Sequence, residues 1–186
     1  MAWTVRDIDL DCEIINAIEK QEDRSAAILA AIYLEDRITS TIEAHSAADS
    51  HLKTLASKID AVCRAGLLEK PITDVIHTVR SIRNAFAHEL APLTFDTPSI
   101  VDSCKKLYSH EFLRGFKSWI DVSLEVHPEL LKMSIGLLDP MIASPDTPRN
   151  AYMNTVKLML MLLQLSQISA IMRDDQYLDV RRGKIT

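Results

Sequence analysis

The chain has 186 residues, enough for one domain with a sizeable core. Apolar residues make up 47% and charged residues 25%, as in ordinary globular proteins, and only four glycines are present, which disfavours a turn-rich β-sandwich or barrel. The net charge of −5 argues against broad nonspecific binding to nucleic acid, which needs a basic surface, but leaves room for a local basic patch.

The N-terminal run MAWTVRDIDLDCEII is acidic and lacks an apolar signal-peptide core. Cys12, Cys63 and Cys104 are odd in number and far apart, so reduced thiols in a cytoplasm are expected rather than disulfides or a metal site. A first helix is predicted over residues 7–20. RSAAILAAIYLEDRITSTIEAH, residues 24–45, has amphipathic periodicity, with Ile28, Ala31, Ile32, Ile38 and Ile42 as its core stripe. A third helix is expected over 50–65, capped by Ser50 and stopped by Gly66, with Leu52, Leu55, Ile59, Val62 and Cys63 on one face. Pro71 suits the first turn of a fourth helix running to His88 or Leu90.

APLTFDTP then reads as a loop, and residues 99–108 as a short helix burying Ile100, Cys104 and Leu107. Pro128, Gly136, Pro140, Pro145 and Pro148 break residues 109–149 into short helices and loops. Asn150 is placed to cap a last long helix ending near Arg173. Its most apolar part, residues 156–172, is interrupted by Lys157, Gln164, Ser166, Gln167 and Ser169. A buried helix is therefore expected, since a membrane span needs ~18 uninterrupted apolar residues. The expected fold is an all-α, single-domain bundle of long antiparallel helices over residues 1–174, followed by a mobile tail, 175–186.

Projecting residues 72–90 at ~100° per residue places Ile72, Val75, Ile76, Val79, Ile82 and Phe86 on one stripe, with Arg83 inside it. His77, Arg80, Asn84 and His88 form a neighbouring polar stripe and a candidate recognition surface. On the second helix, Glu35 lies inside the apolar stripe. A buried arginine needs a carboxylate, so Glu35 and Arg83 are predicted to pair across two packed helices. Loss of either partner from such a buried pair would cost roughly 3–5 kcal/mol.

The blocks AILAAIYLEDRI, LASKIDAVCRAGLL and IRNAFAHELAPLTFDTPSIVDSCKKL, taken in order, resemble the mannitol operon repressor family of bacterial proteins over residues 24–107. The resemblance implies an all-α protein with a role in transcriptional control of carbohydrate uptake. Within it, Arg83-Asn84-Ala85-Phe86-Ala87-His88 looks like the motif of HEPN domains, helical bundles that often dimerise and many of which are metal-independent RNases. By that resemblance Arg83 and His88 would be the catalytic pair and Asn84 their polar support. The chemistry is reasonable: RNA carries its own 2′-hydroxyl nucleophile, an imidazole can move its proton, and a guanidinium can hold the phosphate. Arg83 and His88 stand ~140° apart on one helix, so a joint site needs a sideways-reaching arginine or two copies at a seam.

A direct DNA-reading helix is the weakest reading. The best helix-turn-helix candidate, 55–83, has too long a turn at AGLLEKP. RRGK, 181–184, is a short basic tail. Asp7, Asp9, Asp11, Asp174 and Asp175 read as solvated charge, and neither metal nor cofactor is expected. Two functions therefore compete. One is a cytoplasmic regulator working through another regulatory protein, with the apolar last helix offering surface for a homodimer. The other is a HEPN-type RNase acting on RNA.

Overall fold

The computed structural model describes residues 8–45, 52–108, 112 and 145–181. They form six helices, and no strand occurs among the described residues: α1 (Ile8–Glu19), α2 (Asp23–His45), α3 (Leu55–Arg64), α4 (Lys70–His88), α5 (Pro98–Leu107) and α6 (Pro148–Arg181). The all-α bundle expected from periodicity is what the chain forms. The stretch between α5 and α6, where short helices and loops are predicted, lies almost wholly outside the described residues. None of the helices, over the described residues, is long and apolar enough to cross a membrane.

Helix α2 is the central rod. It packs against α1, α3, α4 and α6, and α6 makes the most extensive contact with it. That position explains why its predicted single stripe is wrong. Ala26, Ala27, Ala30, Ala31, Leu34, Ile38 and Ile42 are all buried, whereas Ile32, placed in the predicted stripe, is 48% exposed. A helix wrapped on most sides has no one apolar face to project. The four small alanines let neighbouring helices approach closely, and Tyr152 of α6 donates to the Ala27 carbonyl at 2.8 Å.

Helix α3 begins later than expected. Thr54, not Ser50, is the cap: its hydroxyl accepts from the Ser57 amide, and the Ser57 hydroxyl accepts from the Thr54 amide. Gly66 is the stop, with φ +68°, a left-handed conformation that costs glycine little. Its amide reaches the Cys63 carbonyl and that of Leu67 reaches Val62, both at 3.0 Å, so the last carbonyls of α3 are satisfied. Pro71 stands in the first turn of α4, where its missing N–H costs nothing. Helix α6 starts at Pro148, so Asn150 sits inside its first turn and does not cap it; Asn150 donates instead to Asp146 at 2.6 Å. The helix continues to Arg181 rather than ending near Arg173.

The predicted Glu35–Arg83 pair does not form. Glu35 receives Lys58 of α3 at 2.9 Å, because its side of α2 faces α3. The buried guanidinium of α2 is Arg37, 1% exposed, and it meets Asp11 of α1 at 3.5 Å. Asp11 also accepts the Tyr33 hydroxyl. It is therefore a core residue and not the solvated charge expected of it. The pair is imperfect: Arg37 Nε and Nη2 and Asp11 Oδ2 find no hydrogen-bond partner among the described residues.

Replacing one member of a buried ion pair strands the other, whereas a partly exposed pair is screened. Urea unfolding should show Asp11→Ala destabilised by about 3–5 kcal/mol. Lys58→Ala, which breaks the more exposed bridge to Glu35, should cost about 1 kcal/mol or less. The double variant Asp11→Leu with Arg37→Met should recover much of the first loss.

Candidate functional site

The apolar stripe of α4 is as expected: Ile72, Val75, Ile76, Val79, Ile82 and Phe86 are all buried. It seats α4 against α2, α3 and α5. That packing turns the polar stripe outward and leaves Arg83 at its edge, half-buried. Arg83 Nη1 donates to the Asn84 carboxamide oxygen at 2.9 Å. It makes no ion pair with a carboxylate among the described residues. The Asn84 carbonyl is used, and its amide NH2 makes no hydrogen bond among the described residues.

His88 is the last residue of α4 and is exposed; it follows Asn84 by one helical turn on the same face. Arg80 precedes Asn84 by the same spacing and is half-buried. His77, the fourth residue of the predicted recognition surface, faces Asp60 of α3 at 3.4 Å, an ion pair only when the imidazole is protonated. Thus Arg80, Arg83, Asn84 and His88 cluster on the C-terminal half of α4, and His77 belongs more to the α3–α4 junction. No group of histidines, cysteines and carboxylates that could hold a metal occurs among the described residues.

The floor beneath Arg83 is dry. Tyr152 is fully buried, and burial foremost, then the Cys104 thiol, push its phenol far above the usual tyrosine range; the positive charge of Arg83 opposes this. Arg83 therefore has one side against the core and the other toward solvent, a setting in which its charge is felt more strongly than in water. Phe86, Phe95 and Tyr152 pack as tilted ring pairs, with centroid distances of 5.1 and 5.4 Å, and close the core behind it.

Sequence projection missed what holds the end of α4. Arg24, at the start of α2, donates through Nη2 to the carbonyls of Glu89 at 2.7 Å and Ala91 at 3.0 Å. Its neighbour Asp23 accepts the Phe95 amide at 2.9 Å and the Arg149 guanidinium. The bonds to the Glu89 and Ala91 carbonyls and from the Phe95 amide join partners 65 to 72 residues apart through backbone atoms that no side-chain pattern reveals.

The fold and this α4 cluster define a helical-bundle protein with a compact polar site on one long helix. Residues 13–111, just over half the chain, match the family described as Domain of unknown function (DUF4145), and the chain belongs to that family. No curated protein and no solved structure matches it.

Burial pushes the Cys104 thiol from its ordinary value of 9.0 up to about 12, and burial likewise pushes the Tyr108 phenol up to about 12, against a hydrogen bond from Asn154. In the unfolded chain the thiol ionises from about pH 9, while in the folded chain it stays neutral until about pH 12. The stability it contributes is therefore complete below pH 9 and is lost as pH rises toward 12. Urea midpoints should fall over that window, and the fall should be shallower in Cys104→Val. At pH 8, iodoacetamide should modify partly exposed Cys63 and spare Cys104.

Proposed function

We propose that the C-terminal half of α4 is an RNA phosphodiester site and that the chain is a HEPN-type, metal-independent RNase. The observation that carries this reading is the state of Arg83. Among the described residues its guanidinium is steadied by an amide oxygen rather than neutralised by a carboxylate, which leaves its positive charge available to a phosphate. The remaining Arg83 donors and the Asn84 NH2 would bind the non-bridging oxygens as negative charge builds on them. In the reaction the 2′-hydroxyl attacks the adjacent phosphorus and the 5′-oxygen leaves, giving a 2′,3′-cyclic phosphate and a 5′-hydroxyl. The His88 imidazole, at the solvent-facing end of the cluster, would carry the proton taken from the nucleophile or given to the leaving oxygen. Arg83 and His88 are offset by ~7.5 Å along the helix axis, so a phosphate lies between them only if both side chains lean toward it.

A second reading rests on a different observation. Leu90, two residues past His88, is 99% exposed, and Leu29 and Ile32 are exposed on α2. Such side chains suit a cytoplasmic regulator resembling the mannitol operon repressors, one that works by contact with another regulatory protein or with a second copy of itself.

Purified protein incubated with single-stranded RNA and chelator should release fragments ending in 2′,3′-cyclic phosphate. His88→Ala should lower kcat about 10²–10⁴-fold, and Arg83→Ala about 10²–10³-fold. Absence of cleavage, or cleavage unchanged in His88→Ala, would refute the RNase reading. For the regulator, selection from a random duplex library should enrich no sequence; tight, sequence-specific binding by the protein alone would remove the contact-mediated mechanism.

A further inference from the structure

Residue His88 terminates α4, and the last turn of a helix is where hydrogen bonds are fewest and fraying begins. Past His88 the helix is closed by a backbone bond from the Glu89 amide to the Ala85 carbonyl at 3.0 Å. The chain then leaves the helix with Glu89 in an extended conformation, and residues 88–92 are all exposed. An exposed last turn of this kind frays unless something outside the helix holds it.

The brace comes from α2. The Arg24 guanidinium spans the Glu89 and Ala91 carbonyls, the first and third residues after His88. Both bonds come from one nitrogen, Nη2, whose N–H directions are fixed in the guanidinium plane, so together they restrain two carbonyls two residues apart, which one bond does not. Asp23 secures the other end of the same loop through the Phe95 amide, and Arg149 lies 6.0 Å over the Phe95 ring. Arg24 itself is planted on the first turn of the most deeply packed helix of the bundle. A group held within a fraction of an ångström matters to phosphoryl chemistry, since a misplacement of about 1 Å can cost 10²-fold in rate.

From this geometry we infer that Arg24 is a positioning residue for the α4 site: it holds the last turn of α4 so that His88 and Arg83 stand in fixed register. The inference rests on the proposed phosphodiester site, but its structural core does not need RNA cleavage to be tested.

Two measurements on the full chain decide it. The first is amide hydrogen exchange together with the NMR signals of the His88 ring, in wild type, Arg24→Ala and Arg24→Lys. In Arg24→Ala, exchange at the amides of residues 87–89 should rise about tenfold or more and the His88 ring signals should shift or broaden, while α2 core amides and the urea midpoint hold. Arg24→Lys, with a compact, freely rotating ammonium in place of the planar guanidinium, should recover only part of the protection. The second is kinetics: kcat for RNA cleavage should fall about tenfold or more in Arg24→Ala with KM within about threefold. Unchanged exchange and an unchanged His88 ring would overturn the inference, as would a kcat loss that merely tracks a global fall in stability. If the wild-type protein cleaves no RNA, the RNase reading fails, and the exchange and ring signals still decide whether Arg24 positions His88.

Discussion

Asp23, the first residue of α2, ties together three parts of the chain that are distant in sequence. Its carboxylate accepts the Phe95 amide, 72 residues away, and the Arg149 guanidinium, 126 residues away. Arg149 reaches on to the carbonyls of Glu19 and Gln21, so the α1–α2 turn, the loop after α4 and the first turn of α6 share one polar knot. An acidic side chain at a helix N-terminus is favoured by the helix dipole, and here that same carboxylate serves as a tertiary anchor. The aromatic cluster follows from it. Phe95, held by its amide and covered by Arg149, fills the gap between Phe86 and Tyr152, which fixes the distance between α4 and α6. Remove the knot and the surroundings of the α4 site lose their reference frame.

Two arginines show how the chain divides structure from candidate chemistry. Arg37 is almost fully buried beside Asp11, and its charge is committed to docking α1 on α2. Arg83 is half-buried beside an amide, and no carboxylate among the described residues cancels its charge. Burying a guanidinium costs several kcal/mol unless a carboxylate compensates, which is why Arg37 needs Asp11. Half-exposure relieves Arg83 of that need. A neutral hydrogen-bonding neighbour then restricts its orientation without lowering its affinity for an anion.

Much of the architecture is legible in the sequence. The α4 stripe, the Gly66 stop and the Pro71 start follow from local rules with one answer each. The α2 stripe does not, because periodicity assumes one buried face and α2 is enclosed by four helices. The Glu35–Arg83 expectation fails for the same reason. Charge complementarity says that a buried cation needs a partner, but several helices can supply one, and Lys58 on α3 is nearer to Glu35. The cluster of Arg83, Asn84 and His88 is legible because it lies on one helix at fixed spacing. Arg24 is not, nor is the Asp23 contact to Phe95, since these bind backbone atoms, which every residue carries and no pattern singles out.

The end of α4 poses an electrostatic problem for the proposed phosphate site, and a counter-charge to it comes from outside that helix. A helix C-terminus presents orphan carbonyls and the negative end of the dipole, which repel an approaching phosphate. Glu89 adds a carboxylate, though an exposed one that solvent screens. Arg24 occupies the Glu89 and Ala91 carbonyls and brings a positive charge to the place where the dipole is negative. The same two hydrogen bonds that order the segment therefore make its potential more tolerant of an anion beside His88. Arg83, one and a half turns back along α4, adds the next positive charge. A polyanion approaching the tip of α4 then meets cations from two helices, and only one of those helices carries the motif.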